Sequence, residues 1–439
     1  MSDIDKKEET LEAAAETGAL DESTAEKLQE IMEKYDRESN VRKYTRKAKV
    51  AVRSLLIAFT IFAVVVISSP SDILYLINWG EYINQDLVKQ FEKENNCQVI
   101  EEDVTSSEAR YQKIASGATS YDVAIPGDYT VEQLYNQGYL LERDVDNKER
   151  KNLSSYQTIF TDSLSSLRND YPVKRSYYRP YFYGSYSLLY STKKDYVEKC
   201  VQQNGFQTLF DRSLFEGSVK VGRYDTSRWM VASYLLSKGL DPNVTDLSTL
   251  SSEGNLSKEL EQEIIAALKN EKFDEFGNDQ LKRDIASGSL DLCYVQSGDF
   301  FDALYLSLSQ SDNEIEFNLS VPKITAAFFD SRVIPKTCQN KTLANKFINF
   351  RLDSNHAYQN ALAIGYSPTV KEVSTLFEKA AKEGEDYYKD DTKSLSRKTF
   401  LSKYPYYLNP LYQVEKVYRL KPKSNSYLTT CETIFNHLA

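Results

Sequence analysis

The sequence predicts an α/β fold preceded by one transmembrane helix. Two observations lead there. From Asp72 onward, short apolar runs alternate with helical patterns, the signature of βα units and a largely parallel sheet. Before them, Ser54 to Ile67 (SLLIAFTIFAVVVI) carries no charge. With Ala51, Val52 and Ser68 to Ser71 the run reaches about 20 residues, enough to cross a bilayer if Arg53 snorkels. The 439 residues leave room for two or three domains, each able to bury a real core.

The anchor is the first element. Arg42, Lys43, Arg46, Lys47, Lys49 and Arg53 precede it with no acid among them, so the positive-inside rule keeps that end in the cytoplasm and places everything after Pro70 outside. A cleaved signal peptide rarely begins after 50 residues, and no A-x-A site or lipid-attachment cysteine follows. A buried core helix would not carry all its bases on one flank. Residues 50–70 therefore read as a signal anchor and residues 1–49 as a partly helical cytoplasmic tail. Within the tail, Asp21 to Ser39 suits an amphipathic helix, with Ser23 as N-cap and Leu28, Ile31, Met32 and Tyr35 on one face.

The outer elements follow in order. Ile73 to Asn78 is a strand. Gln85 to Asn95 is a helix with Leu87, Val88 and Phe91 inward. Gln98 to Glu101 is the next strand, and Ser107 caps a helix through Ala115. Tyr121 to Pro126 (YDVAIP) is a third strand, and Val131 to Gln137 a helix closed by Gly138.

Composition narrows the chemistry. There are 54 Lys+Arg against 64 Asp+Glu, a net charge of −10, and the portion outside the membrane keeps −8 of it. That balance argues against a general nucleic-acid binder. Only 2 histidines are present, which nearly excludes multi-histidine metal sites and makes histidine acid/base catalysis improbable. The 5 widely spaced cysteines contain no CxxC and imply no disulfide framework. Tyrosine is over-supplied at 32, with 20 phenylalanines, and acid plus aromatic suits organic cations. No cofactor and no metal are expected.

Ligands of open α/β sheets bind beyond the carboxyl ends of strands. Asn78-Trp79-Gly80-Glu81-Tyr82 follows the first strand, and Gly127-Asp128-Tyr129 follows YDVAIP. Each turn offers a carboxylate beside a ring. A protonated amine would gain charge-assisted acceptors, about 1.5–3 kcal/mol each, and a ring face adds about 0.5–2 kcal/mol.

At these residues the chain resembles the spermidine/putrescine-binding proteins of bacterial ABC importers. The resemblance runs through LINWGEY (Leu76 to Tyr82), YDVAIPGDYTVEQL (Tyr121 to Leu134), RPYFYG (Arg179 to Gly184), DSRVIP (Asp330 to Pro335), ANKFINFRLD (Ala344 to Asp353) and IGYSPT (Ile364 to Thr369), in family order and covering roughly Asp72 to the C-terminus. It implies a two-lobed type II periplasmic-binding-protein fold. Lobe 1 would comprise 71–178 and 331–375, and lobe 2 would comprise 179–330 and 376–439. The lobes would close on a polyamine. By position, the resemblance implies ligand contacts at Trp79, Glu81 and Tyr82, at Asp128 and Tyr129, at Asp330 and Tyr366, and at Asp225 in GRYDTSRWM.

The departures bear on the ligand. The carboxylate one turn beyond the Asp225 position becomes Arg228 or Trp229. Cleft tryptophans become Gln296 in YVQSGD and Phe328, and the YPYYLNPLY stretch (Tyr404 to Tyr412) has no counterpart for the family's C-terminal glutamine. Fewer carboxylates hold fewer ammonium groups, so the ligand's length stays open. Asp128 and Asp225 serve equally well as helix caps. Asp330 would be costly to bury unpaired and is the better ligand group.

The function expected is a membrane-anchored extracellular solute-binding protein, with a monomeric binding domain, that hands polyamines to an ABC permease and its ATPase. A binding protein of the same fold for another cation, thiamine-like, is one alternative. A type II membrane-anchored enzyme is another, but no metal-binding acid pair, nucleophile elbow or phosphate loop supports it.

Overall fold

The computed structural model describes residues 23–24, 26–31, 72–143, 171–270, 273–310, 315–390 and 393–436. Two compact units divide the chain, Met1–Ile73 with Asn96–Gln98 and Leu74–Asn95 with Val99–Ala439. In the first, residues 23–24 and 26–31 are helical. They fall inside the amphipathic helix expected over Asp21 to Ser39, with Ser23 itself helical and Ile31 53% exposed. The expected span 50–70 lies outside the described residues, among which no helix is long and apolar enough to cross a membrane.

The α/β body begins with β1 (Asp72–Asn78), α1 (Gln85–Asn95), β2 (Cys97–Asp103), α2 (Ser107–Ser116), β3 (Val123–Ala124), α3 (Asp128–Asn136) and β4 (Leu140–Leu141). The long strand β5 (Tyr178–Ser191) leads to α4 (Asp195–Asn204), β6 (Val221–Tyr224), α5 (Ser227–Ser237), α6 (Lys258–Asn270), β7 (Glu275–Gly277), α7 (Asp279–Ser287), β8 (Leu292–Gln296), α8 (Ser297–Gln310) and β9 (Phe317–Ser320). A second long strand, β10 (Ile324–Pro335), precedes α9 (Lys341–Phe350), α10 (Ser354–Ile364), β11 (Ser367–Pro368) and α11 (Lys371–Lys382). The hairpin β12 (Asp386–Lys389) and β13 (Ser394–Ser396), α12 (Arg397–Lys403), β14 (Lys416–Arg419) and α13 (Asn425–Asn436) complete it.

The main sheet runs β2-β1-β3-β10-β5-β8-β6-β7, with β4 and β14 beside β10 and β9 and β11 beside β5. It is mixed, not largely parallel. The outer strands pair parallel, β1 with β3 and β6 with both β7 and β8. The central strands β5 and β10 pair antiparallel with each other and with β8 and β3. All 14 residues of β5 are buried, as are 11 of the 12 in β10. A strand covered on both faces must be apolar or internally bonded throughout, which suits the aromatic-rich segment YRPYFYGSYSLLYS.

Local chemistry sets several boundaries differently from expectation. α1 matches, with Leu87, Val88 and Phe91 buried and Phe91 edge-on to Phe347 and Phe350 of α9. The cap of α2 is Ser106, whose hydroxyl accepts the Ala109 N–H; Ser107 is the first helical residue. α3 starts at Asp128, three residues early, because Gly127 is its N-cap. Thr226, not Asp225, precedes α5, without a side-chain cap bond. Neither Asp128 nor Asp225 is therefore a capping residue.

Candidate ligand-binding site

The carboxyl ends of β1, β3, β6 and β8 each carry one of the singled-out turns, and β10 passes between them. The turn after β1 bends sharply, with Glu81 at φ 52, in the left-handed region that costs a side-chain-bearing residue some strain. On either side of it lie Trp79 and the buried Tyr82.

Asp330 sits where the β10–β5 register shifts between Phe329 and Ser331, so this residue is freed from regular pairing with β5 and instead bridges Gly127. Its carboxylate is 4% exposed and accepts the Tyr82 hydroxyl at 2.7 Å. Burial pushes its pKa up to about 6, against the Tyr82 hydrogen bond, the Arg110 charge and the Trp79 indole, which favour the ionised form. The Trp79 Nε1 donor is buried without a hydrogen bond of good geometry. It lies close enough to favour the charged carboxylate without being aligned to it. Tyr82 presents its ring edge-on to Tyr181, Phe182 and Tyr366, an apolar collar around the acid.

A second acid, Asp299, completes the centre. Its Oδ1 accepts the Tyr366 hydroxyl at 2.8 Å, and its Oδ2 accepts the Gln296 N–H at 2.9 Å and the Tyr224 hydroxyl at 3.2 Å. It occupies the first turn of α8, where the helix dipole favours an anion. Burial raises its pKa, opposed by Lys282, Tyr366 and the Gln296 N–H. The Tyr366 hydroxyl also lies 3.3 Å from Gln296 Oε1. Phe328 stands 6.3 Å from Tyr366 and 6.4 Å from Tyr186, ring to ring, and closes the aromatic wall.

The protein's own cations take several places that the sequence offers to a ligand. The Arg110 guanidinium lies 3.6 Å over the Trp79 ring and donates to the carbonyls of Asn78 and Val104. Arg228 lies 4.2 Å over the Tyr129 ring and donates to the Lys421 carbonyl. Trp229 is buried and packs on Trp79 at 6.4 Å, Tyr186 at 6.0 Å and Tyr224 at 5.3 Å. Glu81 is exposed and stands 3.6 Å from Lys282.

Asp128 is 1% exposed and 3.7 Å from Arg419, and burial raises its pKa to about 7 despite that charge. Its carbonyl accepts the Tyr171 hydroxyl. Asp225 is exposed, 3.9 Å from Arg223, and its N–H donates to Gly277 and Asn278. The contacts thus join Trp79, Tyr82, Trp229, Gln296, Phe328, Asp330 and Tyr366 into one constellation, with Tyr129 and Glu81 at its margins. Asp128 and Asp225 face arginines instead.

Sequence reasoning passed over Asp299, though it stands three residues after Gln296 in the same YVQSGD segment. Arg110 and Lys282 carried no signal, since a basic residue on an amphipathic helix usually faces solvent. The YPYYLNPLY stretch packs behind the site: the Tyr183 hydroxyl donates to Leu408, Ser367 donates to the Tyr407 carbonyl, and Tyr407 donates to Ala361. Among the described residues no group of three or more His, Cys, Asp or Glu side chains is arranged to hold a metal.

A family described as bacterial extracellular solute-binding protein matches residues 86–393. A putrescine/cadaverine-binding protein of Pseudomonas aeruginosa is 26% identical over 341 residues, 74% of this chain and 90% of that protein. A spermidine/putrescine-binding periplasmic protein of Escherichia coli is 27% identical over 324 residues, 71% of this chain and 84% of that protein. Among solved structures, a putative spermidine/putrescine ABC transporter protein from Listeria monocytogenes superimposes with a TM-score of 0.64 at 23% identity, covering 84% of this chain and 99% of that one. That likeness establishes the two-lobed α/β fold.

Proposed function

The chain belongs to the bacterial extracellular solute-binding proteins, a family that binds rather than transforms its solute, and from that premise we propose that it captures a polyamine and delivers it to an ABC importer. The observation that carries this reading is Asp330. A carboxylate held at a strand bulge, buried in aromatic rings and hydrogen-bonded by a neutral tyrosine is poised for an organic ammonium ion. The names of the relatives from P. aeruginosa and E. coli agree with that chemistry.

In this reading Asp330 and Asp299 receive ammonium groups, while Trp79, Tyr82, Phe328, Tyr366 and Trp229 line the methylene chain and Gln296 accepts a further N–H. Lobe 1 comprises 71–178 and 331–375 and lobe 2 comprises 179–330 and 376–439, joined through β5 and β10, and closure about these strands presents the loaded form to a permease and its ATPase. The apolar run within 50–70 tethers the binding domain outside the cell, a role supported by its length and its basic flank. The direct test is calorimetry of the full-length protein in detergent with putrescine and spermidine. Absence of both heat and thermal stabilisation with either amine sinks the reading.

A further inference from the structure

Lys282 lies on α7, yet its side chain is only 7% exposed. Its ammonium pairs with Asp302 of α8, stands 3.0 Å from Asp279 Oδ1 and reaches Glu81 Oε2 at 3.6 Å. Burial alone would drive a lysine toward its neutral form, but Asp299, Asp302 and Asp279 outweigh that and hold Lys282 above the ordinary lysine range. It is a primary ammonium on an alkyl stem, the same chemical group that ends a polyamine. Glu81, in ion-pair contact, stands at the margin of the constellation described above, and the charge of Asp299 at its centre also acts on Lys282.

Glu81 follows β1 in the wing β2-β1-β3, while Lys282 stands against the wing β8-β6-β7. Their ion pair therefore crosses between the parallel wings on either side of β5 and β10. Asp330, by contrast, accepts the neutral Tyr82 hydroxyl and, among the described residues, is in no salt bridge, the Arg110 charge acting on it from further away. The site thus has one end open to an incoming ammonium and another already facing an ammonium of the protein. A third positive charge on the ligand would approach Lys282 at short range in a medium of low dielectric, where like charges repel strongly.

We propose that Lys282 is a specificity-determining residue, a tethered ammonium that neutralises the Glu81 end of the site and restricts the ligand to a diamine in preference to a triamine. This rests on the polyamine reading. Removing the Lys282 charge vacates an ammonium position among carboxylates that a longer polyamine can then fill with its own third amine.

The experiment compares putrescine and spermidine binding by calorimetry for the full-length wild type, Lys282→Met and Lys282→Arg. Wild type is expected to favour putrescine. Lys282→Met should shift the affinity ratio at least tenfold toward spermidine, and Lys282→Arg, which keeps the charge, should retain the wild-type preference. An unchanged ratio in Lys282→Met, or an equal loss for both amines, overturns the proposal and leaves Lys282 a structural ion-pair partner. Where Lys282→Met unfolds, Lys282→Gln keeps a donor for Asp302 and is held to the same ratio. Failure of the wild type to bind either amine overturns the functional reading itself, and the inference with it.

Discussion

The Tyr82 hydroxyl donates a 2.7 Å hydrogen bond to Asp330 Oδ2, joining residues 248 positions apart. One end of this contact is the turn after the first strand and the other is a bulge in the second long strand. Neither residue has a local reason to be near the other. Their meeting creates a buried carboxylate that accepts a neutral hydroxyl and, among the described residues, forms no salt bridge, and the first prediction follows from it. Asp330→Asn removes the charge that an ammonium would pair with, and putrescine affinity should fall by about 1.5–3 kcal/mol, roughly 10- to 150-fold. Calorimetry reads this directly, and an affinity within twofold of wild type removes Asp330 from the site.

Acid should weaken binding. Burial raises the Asp330 pKa to about 6, and an ammonium ligand requires the ionised form, so protons compete with ligand as pH falls through 6. The slope should approach tenfold in affinity per pH unit below that point, and Asp330→Asn should flatten it. The same group acts oppositely on stability. Its folded-state pKa lies above the ordinary value of 3.8, so the unfavourable contribution it makes at neutral pH is relieved as pH falls through 6 toward 3.8. Unfolding driven by Asp330 therefore does not explain the loss of binding.

Arg110→Met should cost stability. It strips the guanidinium donor from two buried carbonyls, that of Val104 and that of Asn78, which keeps the Val104 N–H, and removes the cation stacked on Trp79. Relief of a desolvated charge offsets part of this, leaving a loss of about 3 kcal/mol, measurable by urea or thermal unfolding.

Gly298→Ala should disable the site with little help from charge. A Cβ at Gly298 would stand 2.2 to 2.3 Å from the Tyr366 ring, too close for either to stay. Displacing Tyr366 breaks its bond to Asp299, so amine affinity should drop at least tenfold. Tyrosine fluorescence and calorimetry together distinguish this from global unfolding.

Asp225→Ala should do almost nothing, with putrescine affinity within about twofold of wild type. The carboxylate is exposed and, among the described residues, its salt-bridge partner is Arg223. A tenfold loss would place Asp225 in the closed, ligand-bound site after all.

Much of the fold could be read along the chain. The apolar spacing in Gln85 to Asn95 located α1 and its buried face to the residue, because a helix brings positions three and four apart onto one side. Strand direction could not be read so. β5 and β10 look like ordinary apolar runs, and only pairing shows them antiparallel at the centre of the sheet. The turns after strands were visible as acid beside aromatic, and most of their rings do converge. The arginines and the lysine were invisible, because a cation on a helix face gains its meaning from what another segment brings opposite it.

From residue types alone come the α/β class, the basic-flanked apolar run, the lack of histidine chemistry and the acid–aromatic turns. These are properties of short segments, written in propensity, periodicity and charge. Which acids remain available came from folding. Asp330 and Asp299 meet tyrosines, Asp128 an arginine, and Glu81 a lysine, so one residue type holds three different roles. Carboxylates are alike in sequence; burial and the nearest charge tell them apart, and both are set by segments hundreds of residues away.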